Sequence, residues 1–494
     1  MKAYNKVIVP LLVLLVFGLA GCSGDKKATN VGKLHFDHPL KIPQLLKPTI
    51  SSDGTKHFQL TMQSGTTEFL PGKKTKTWGL NGSYLGPTIR VSRGDKVAFD
   101  VANHLDVPST LHWHGMKLPA MMDGGPHQMI EAGETWSPHW TIDQPSATAW
   151  YHPHVHGETA NHVYRGLAGM FMIDDKDSKK LPSDYGVDDI PLIVQDKVFT
   201  KSGQLSEKDN TTYGTLGDKI LINGTYDPYL KVTANQVRFR LLNASNARAY
   251  NFGFTDGRSF KLVANDAGLL QKPVTLKRFM LSPGERAEIV VEFKPGEKTI
   301  LRSYSSGGEV GNGEFDLLKM VAADQLTESA PIPDQLSSIP PIEVPKNAKV
   351  RQFKMTMEFK LNDKKMAMDR IDEVVPAGAK EIWEIDNFGS AHNFHIHDAA
   401  FRVLDINGEK PPIYERGRKD TVFIPNGATV RLAVEFANYA DPNHPLMYHC
   451  HFLKHEDAGM MGQFLLVKPG TESQVSKKLP KNDMDNQHNG HMDK

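Results

Sequence analysis

The chain has 494 residues, too many for one hydrophobic core, so two or three domains are expected. An apolar content of 39% and a charged content of 23% describe an ordinary soluble globular protein. A net charge of +1 gives no sign of a nucleic-acid partner or an anionic membrane surface.

A short basic start, Met1-Lys2-Ala3 with Lys6, precedes an almost unbroken apolar run from Val7 to Ala20. That run is shorter than the roughly 20 residues needed to span a bilayer, so it reads as a cleavable signal peptide over residues 1–21. It ends in Leu19-Ala20-Gly21-Cys22, which resembles the bacterial lipobox and implies lipid attachment at Cys22. A lipoprotein anchored outside the cytoplasm is the expectation, with residues 22–44 as a tether and N-terminal arm. The chain's other cysteine, Cys450, then has no disulfide partner in an oxidising compartment, and a bound metal would hold it as a thiolate.

Short runs rich in Val, Ile, Phe and Thr follow, among them Val97–Val101, Val237–Leu241 and Ile289–Phe293, punctuated by turn residues. They predict an all-β fold of sandwich domains. Charged, turn-rich residues from Asp174 to Asp189 and a proline-rich stretch from Asp324 to Pro345 read as linkers. The expected domains are residues 45–180, 185–325 and 345–470, with a flexible tail over 471–494 that holds Met484, His488, His491 and Met492. A weak internal repeat agrees. Val97 to Asn103 leads to His112 and Ile382 to Asn387 leads to His392, but Val237 to Asn243 leads to Ala247 and Ala249. The middle unit is therefore expected to carry no metal.

Of the 21 histidines, eight fall in His112-Trp113-His114, His152-Pro153-His154, His395-Ile396-His397 and His449-Cys450-His451. On a strand, residues i and i+2 share a face, so each pair offers two imidazoles to one cluster. Cys450 points away from the face of its flanking histidines. With His392, His455 and Met460 it composes the two-imidazole, thiolate and thioether set of a blue-copper site. Structural zinc would call for four closed ligands with more cysteine and does no redox chemistry.

These motifs, with Trp150 to Gly157 and His449 to Met460, resemble the multicopper oxidases, in particular the three-domain bacterial laccases and cuprous oxidases. The resemblance implies three cupredoxin-like Greek-key domains and four copper ions between and within them. By position, His392, Cys450, His455 and Met460 would hold a type 1 copper, and His112 and His395 a type 2 copper. His114, His152, His154, His397, His449 and His451 would hold a type 3 pair. It implies one-electron oxidation of a donor coupled to four-electron reduction of dioxygen to water. Asp123 and Glu456 match acids that the family uses to relay protons. His156 is read as lying behind the ligands. The donor is Cu(I) or Fe(II), as in copper tolerance, or a phenol or amine, as in laccases. Met355, Met357, Met366, Met368 and Asp369 could receive a metal substrate, with Met-X-Met alternation placing thioethers on one face. The alternative is a copper-binding or structural cupredoxin protein without oxidase activity. A monomer is expected, its partners being dioxygen, the electron donor and a membrane through its lipid.

Overall fold

A computed structural model describes residues 28–479. The expected signal peptide, the expected lipidation site Cys22 and the tail residues Met484, His488, His491 and Met492 lie outside the described residues.

Alternating burial makes the strands amphipathic. In Lys96–Asn103 the side chains of Val97, Phe99 and Val101 point inward while Lys96 and Asp100 face water, as a half-buried strand requires. Such strands pair into six sheets, two per unit. In the first unit, Ile89–Ser92, Gly169–Asp174, Ala147–His152 and His112–His114 form one sheet. It packs on a second sheet centred on Lys56–Leu70 and Lys96–Asn103, enclosing Phe58, Phe99, Trp113, Trp140 and Phe171. The middle unit pairs a seven-stranded sheet with a six-stranded one around Phe239, Phe252, Phe279 and Ile289. The third pairs two five-stranded sheets around Phe353, Trp383, Phe394, Tyr448 and Phe464. The N-terminal arm crosses the middle unit first, its His38–Pro39 lying parallel to Pro228–Tyr229.

The internal repeat has a structural cause. In each unit an opening strand pairs in parallel with the strand that precedes the histidine or alanine slot: Lys56–Met62 with Val97–Asn103, Asp189–Val194 with Arg238–Asn243, and Val350–Met355 with Ile382–Asn387. Each of those second strands ends in a buried asparagine with the same task. Asn103 Nδ2 donates to the carbonyls of Val107 and Ile130, and its Oδ1 accepts from Leu105 N. Asn243 does so with Arg248, Leu281 and Ser245. Asn387 does so with Ser390, Pro425 and Gly389. One amide thereby satisfies the backbone where the chain leaves the sheet for its loop.

The methionine segment departs from its expected pattern. Met355 lies in Val350–Thr356 and is fully buried in the third unit's core, while Met357 falls in the turn that follows and is 69% exposed. Ending the strand at Thr356 breaks the period-two alternation, so the two thioethers do not share a face. Met366, Met368 and Asp369 are half-buried in a loop.

Candidate metal centre

Strand pairing brings the four histidine motifs together. His112–His114 lies antiparallel to Ala147–His152, with His152 opposite His112. His392–Ile396 lies antiparallel to Asp441–His449, with His395 opposite His449. The first and third units then meet face to face. Across that boundary His112 stacks on His397 with ring centroids 3.9 Å apart, and His114 on His395 at 3.7 Å.

Three all-histidine sets form at this junction, each with candidate ligand atoms within 4.8 Å of one another: His112, His114 and His395; His114, His152 and His451; His154, His397 and His449. A fourth set, His392, Cys450 and His455, lies in the third unit. All are buried. The middle unit supplies no histidine to any of these sets. Its alanine slot instead packs Ala247 and Ala249 into the third unit's core.

Second partners orient the rings. His112 Nδ1 donates to Asp123 O at 2.9 Å and His395 Nδ1 to Asp420 O at 2.8 Å. Both Nε2 atoms are buried with no hydrogen-bond partner. His152 Nδ1 donates to Pro153 O, His449 Nδ1 to Cys450 O, and His397 Nδ1 to Asp123 Oδ2 at 2.9 Å. With Nδ1 protonated, His397 and His449 turn the lone pairs of their Nε2 atoms toward each other at 3.3 Å, and His154 Nε2 stands 3.2 Å from His449 Nε2. Lone pairs so placed repel unless a cation lies among them. Burial, reinforced by neighbouring imidazoles, pushes His114, His152, His395 and His397 far below the ordinary histidine range, so they stand as neutral donors.

The fourth set has the composition of a blue-copper site. His392 Nδ1 and His455 Nδ1 each lie 3.6 Å from Cys450 Sγ and 3.0 Å from each other. Met460 is fully buried and its carbonyl accepts from Cys450 N. Burial pushes the Cys450 thiol up to about 12, so a bound cation is needed to hold a thiolate at neutral pH. The residues present thus fit copper: soft sulfur donors in one set, unprotonated imidazoles in the others.

The carboxylates predicted from sequence sit behind candidate ligands. Asp123 reaches His397 from Oδ2 and lies 3.4 Å from His112 Nδ1 through Oδ1. Glu456 spans His154 Nδ1 at 3.4 Å and His449 Nδ1 at 3.2 Å. Its helix, Leu453–Asp457, is bound to the first unit by Asp457, which accepts from Thr159 N and Ala160 N. His156, by contrast, is exposed at the surface, because the chain turns after Val155 and carries it off the ligand face. His127, His162 and His444 pair with Gln463, Ser109 and Asp441.

Three residues escaped the sequence reading. Asn393 Oδ1 accepts from His451 N at 2.6 Å and lies 3.6 Å from Cys450 Sγ, while its Nδ2 donates to Pro283 O of the middle unit. Asp420 touches His114 and His395. Thr212 O accepts from His455 Nε2 at 3.3 Å. None stands in a motif; only the position of Asn393 between two histidine ligands hinted at a role.

Family models described as multicopper oxidase match residues 61–178, 194–312 and 340–470. The chain is 36% identical to a multicopper oxidase of Staphylococcus aureus over 89% of its own length and 95% of that protein's. It is likewise 36% identical to the cell division protein FtsP of Xenorhabdus nematophila, over 92% of this chain and 97% of that one. A solved laccase-like multicopper oxidase from Ochrobactrum sp., with oxidase activity towards lignin model compounds and lignosulfonate, superposes with a TM-score of 0.80. It is 38% identical, and the match covers 87% of this chain and 100% of that one.

Proposed function

The chain belongs to the multicopper oxidase family, and from that premise we propose that it takes electrons singly from a donor and delivers them to dioxygen, producing water. His392, Cys450, His455 and Met460 would hold a type 1 copper, and His112 with His395 a type 2 copper. His114, His152 and His451 would hold one copper of a type 3 pair, and His154, His397 and His449 the other. Bound there, four coppers would supply reversible one-electron chemistry and a centre for dioxygen reduction. The observation that carries this reading is the set of buried ring nitrogens at the junction of the first and third units, His154 Nε2 facing His449 Nε2 across it at 3.2 Å.

The chain's own residues supply the electron path and the protons. Cys450 is continuous through one peptide bond with His449 and through the next with His451, so one tripeptide joins the two centres. Asn393 braces that link by bonding His451 N beside Cys450 Sγ. Each water formed consumes two protons. Asp123, at His397 Nδ1, and Glu456, between His154 and His449, are placed to hold and pass them on.

The donor would approach the His455 edge, where the Phe359 ring lies 4.5 Å from the imidazole. Met357 and Phe388 are exposed nearby, Phe388 by 63%, and they offer an apolar edge suited to a phenol or aromatic amine. The Ochrobactrum relative's activity towards lignin model compounds supports this choice. Met357, Met366 and Met368 support Cu(I) or Fe(II) as a second class of donor and a part in copper homeostasis. The FtsP relative supports a different reading, a copper-binding or structural protein without oxidase activity; the filled donor sets favour the oxidase. The leader and Cys22 support a lipid-anchored protein outside the cytoplasm. Oxygen uptake by the copper-loaded chain with Cu(I), Fe(II) and a phenol, measured side by side, tests the proposal. Uptake with none of them, from a chain that has taken up copper, would overturn the oxidase reading.

A further inference from the structure

The middle unit supplies no ligand, yet one of its side chains reaches the metal centre's supports. Arg286 opens the strand Arg286–Glu292 and is fully buried. Its Nε donates to Thr148 O at 2.8 Å, on the first unit's strand that ends in His152. Its Nη1 and Nη2 grip Asp420 of the third unit bidentately at 2.7 and 2.6 Å. Arg286 also donates to Gly284 O and Asp266 O. A single guanidinium therefore ties all three units together at the point where the trinuclear ligands converge.

Asp420 passes that constraint on. Its Oδ1 lies 3.1 Å from His114 Nε2 and accepts from Thr421 Oγ1 at 2.9 Å. Its carbonyl accepts from His395 Nδ1 at 2.8 Å. Its backbone N and that of Thr421 donate to Asp266 Oδ2 at 3.3 Å. A carboxylate oxygen at His114 Nε2 requires the proton there and leaves the lone pair on Nδ1. That Nδ1 faces His152 Nε2 at 3.4 Å. His112, His152, His395, His397 and His449 use the opposite tautomer, with Nδ1 donating and Nε2 open. The backbone confirms how closely the pair is seated: a Cβ on Gly115 would fall 2.5 Å from Arg286 Nη2 and 2.8 Å from Asp420 Oδ2.

We propose that Arg286, from the unit that carries no copper, is a positioning residue for the trinuclear centre, acting through Asp420 to make His114 present Nδ1. The bidentate grip leaves Asp420 one orientation, and that orientation selects the His114 tautomer and ring angle. The copperless unit thereby determines the geometry of a centre built by its two neighbours. This inference rests on the copper reading above.

The test compares the parent chain with Arg286→Gln, Arg286→Lys and Asp420→Asn, and with Arg238→Gln as a control. Arg238 is equally buried in the same unit and pairs with Glu288. The readouts are copper retained against a chelator, the blue type 1 absorption, and the electron paramagnetic resonance spectrum of the type 2 copper. Arg286→Gln and Asp420→Asn are expected to keep the blue absorption, to hold trinuclear copper about 10–100-fold more weakly, and to shift the type 2 spectrum. Arg286→Lys is expected to fall between Arg286→Gln and the parent. Arg238→Gln is expected to melt earlier with parental spectra and copper retention. Should Arg286→Gln fail to fold, Asp420→Asn decides, since its amide nitrogen sets a donor against Arg286 in either orientation and against His114 as well when it takes the place of Oδ1. Parental copper retention and spectra in Asp420→Asn would overturn the proposal, as would an identical defect in Arg238→Gln. A parent chain that takes up no copper would overturn the copper reading instead.

Discussion

Cys450 shows how much a single position carries. A thiol held up to about 12 by burial is inert without a metal, and as a thiolate it would be both ligand and electron entry. Cys450→Ser is expected to remove the blue absorption and donor oxidation while the histidine sets retain their copper; a blue, active variant would refute the assignment. The acids behind the ligands should separate proton supply from electron supply. Asp123→Asn and Glu456→Gln are expected to keep the blue colour and accept electrons from a reductant. Reoxidation by dioxygen should slow by about 10²–10⁴-fold, the usual effect of removing a general acid. Stopped-flow reoxidation at the parental rate in both variants would make these carboxylates purely structural.

At the scale of elements, the strand-ending asparagines recur because each unit must turn a strand into a loop without orphaning its carbonyls. Asn243→Ala would leave the Arg248 and Leu281 carbonyls unpaired in a buried setting. A loss of about 1–3 kcal/mol is expected from urea unfolding, with copper spectra unchanged. The methionine segment divides between two roles. Met355→Leu alters only core packing, at a cost under about 1.5 kcal/mol. Met357, Met366 and Met368 replaced together by leucine should raise the apparent KM for Cu(I) and spare phenol oxidation. Unchanged Cu(I) kinetics would exclude the loop as a metal-docking segment.

Across the whole molecule, buried ion pairs join the units. Glu288 is clasped by Arg238 and Arg240, and it accepts from Thr148 Oγ1 of the first unit. Burial alone would raise its carboxyl, but the two guanidinium charges outweigh burial and hold it at about 2, below the usual 4.5. A depressed carboxyl contributes stability in full above about pH 4.5, and that contribution is lost as the pH falls through about 2. Denaturant midpoints should therefore decline over that window. The decline should be shallower in Arg240→Met, which removes one of the two charges on Glu288 and leaves Asp189 with Arg90 as its remaining cationic partner. A parental pH slope in that variant would show that Arg240 does not hold the Glu288 carboxyl down.

The all-β class, the histidine sets and Cys450 were legible because their signals are local. Strand alternation, His-X-His spacing and a cysteine between two histidines each lie within a few residues, and geometry on a strand turns them into shared faces. The alanines of the middle unit, Ala247 and Ala249 where its neighbours carry histidine, were legible too. Tertiary structure alone decided the remainder. Whether Met357 shares the buried face of Met355 depended on where the strand ends, and whether His156 joins the histidine sets depended on the turn after Val155. Asp420 and Thr212 bond His114 and His455 across 306 and 243 positions, and Arg286 bonds Asp420 across 134. No periodicity encodes such separations; they exist only once three sandwiches have docked and excluded water from the junction between them.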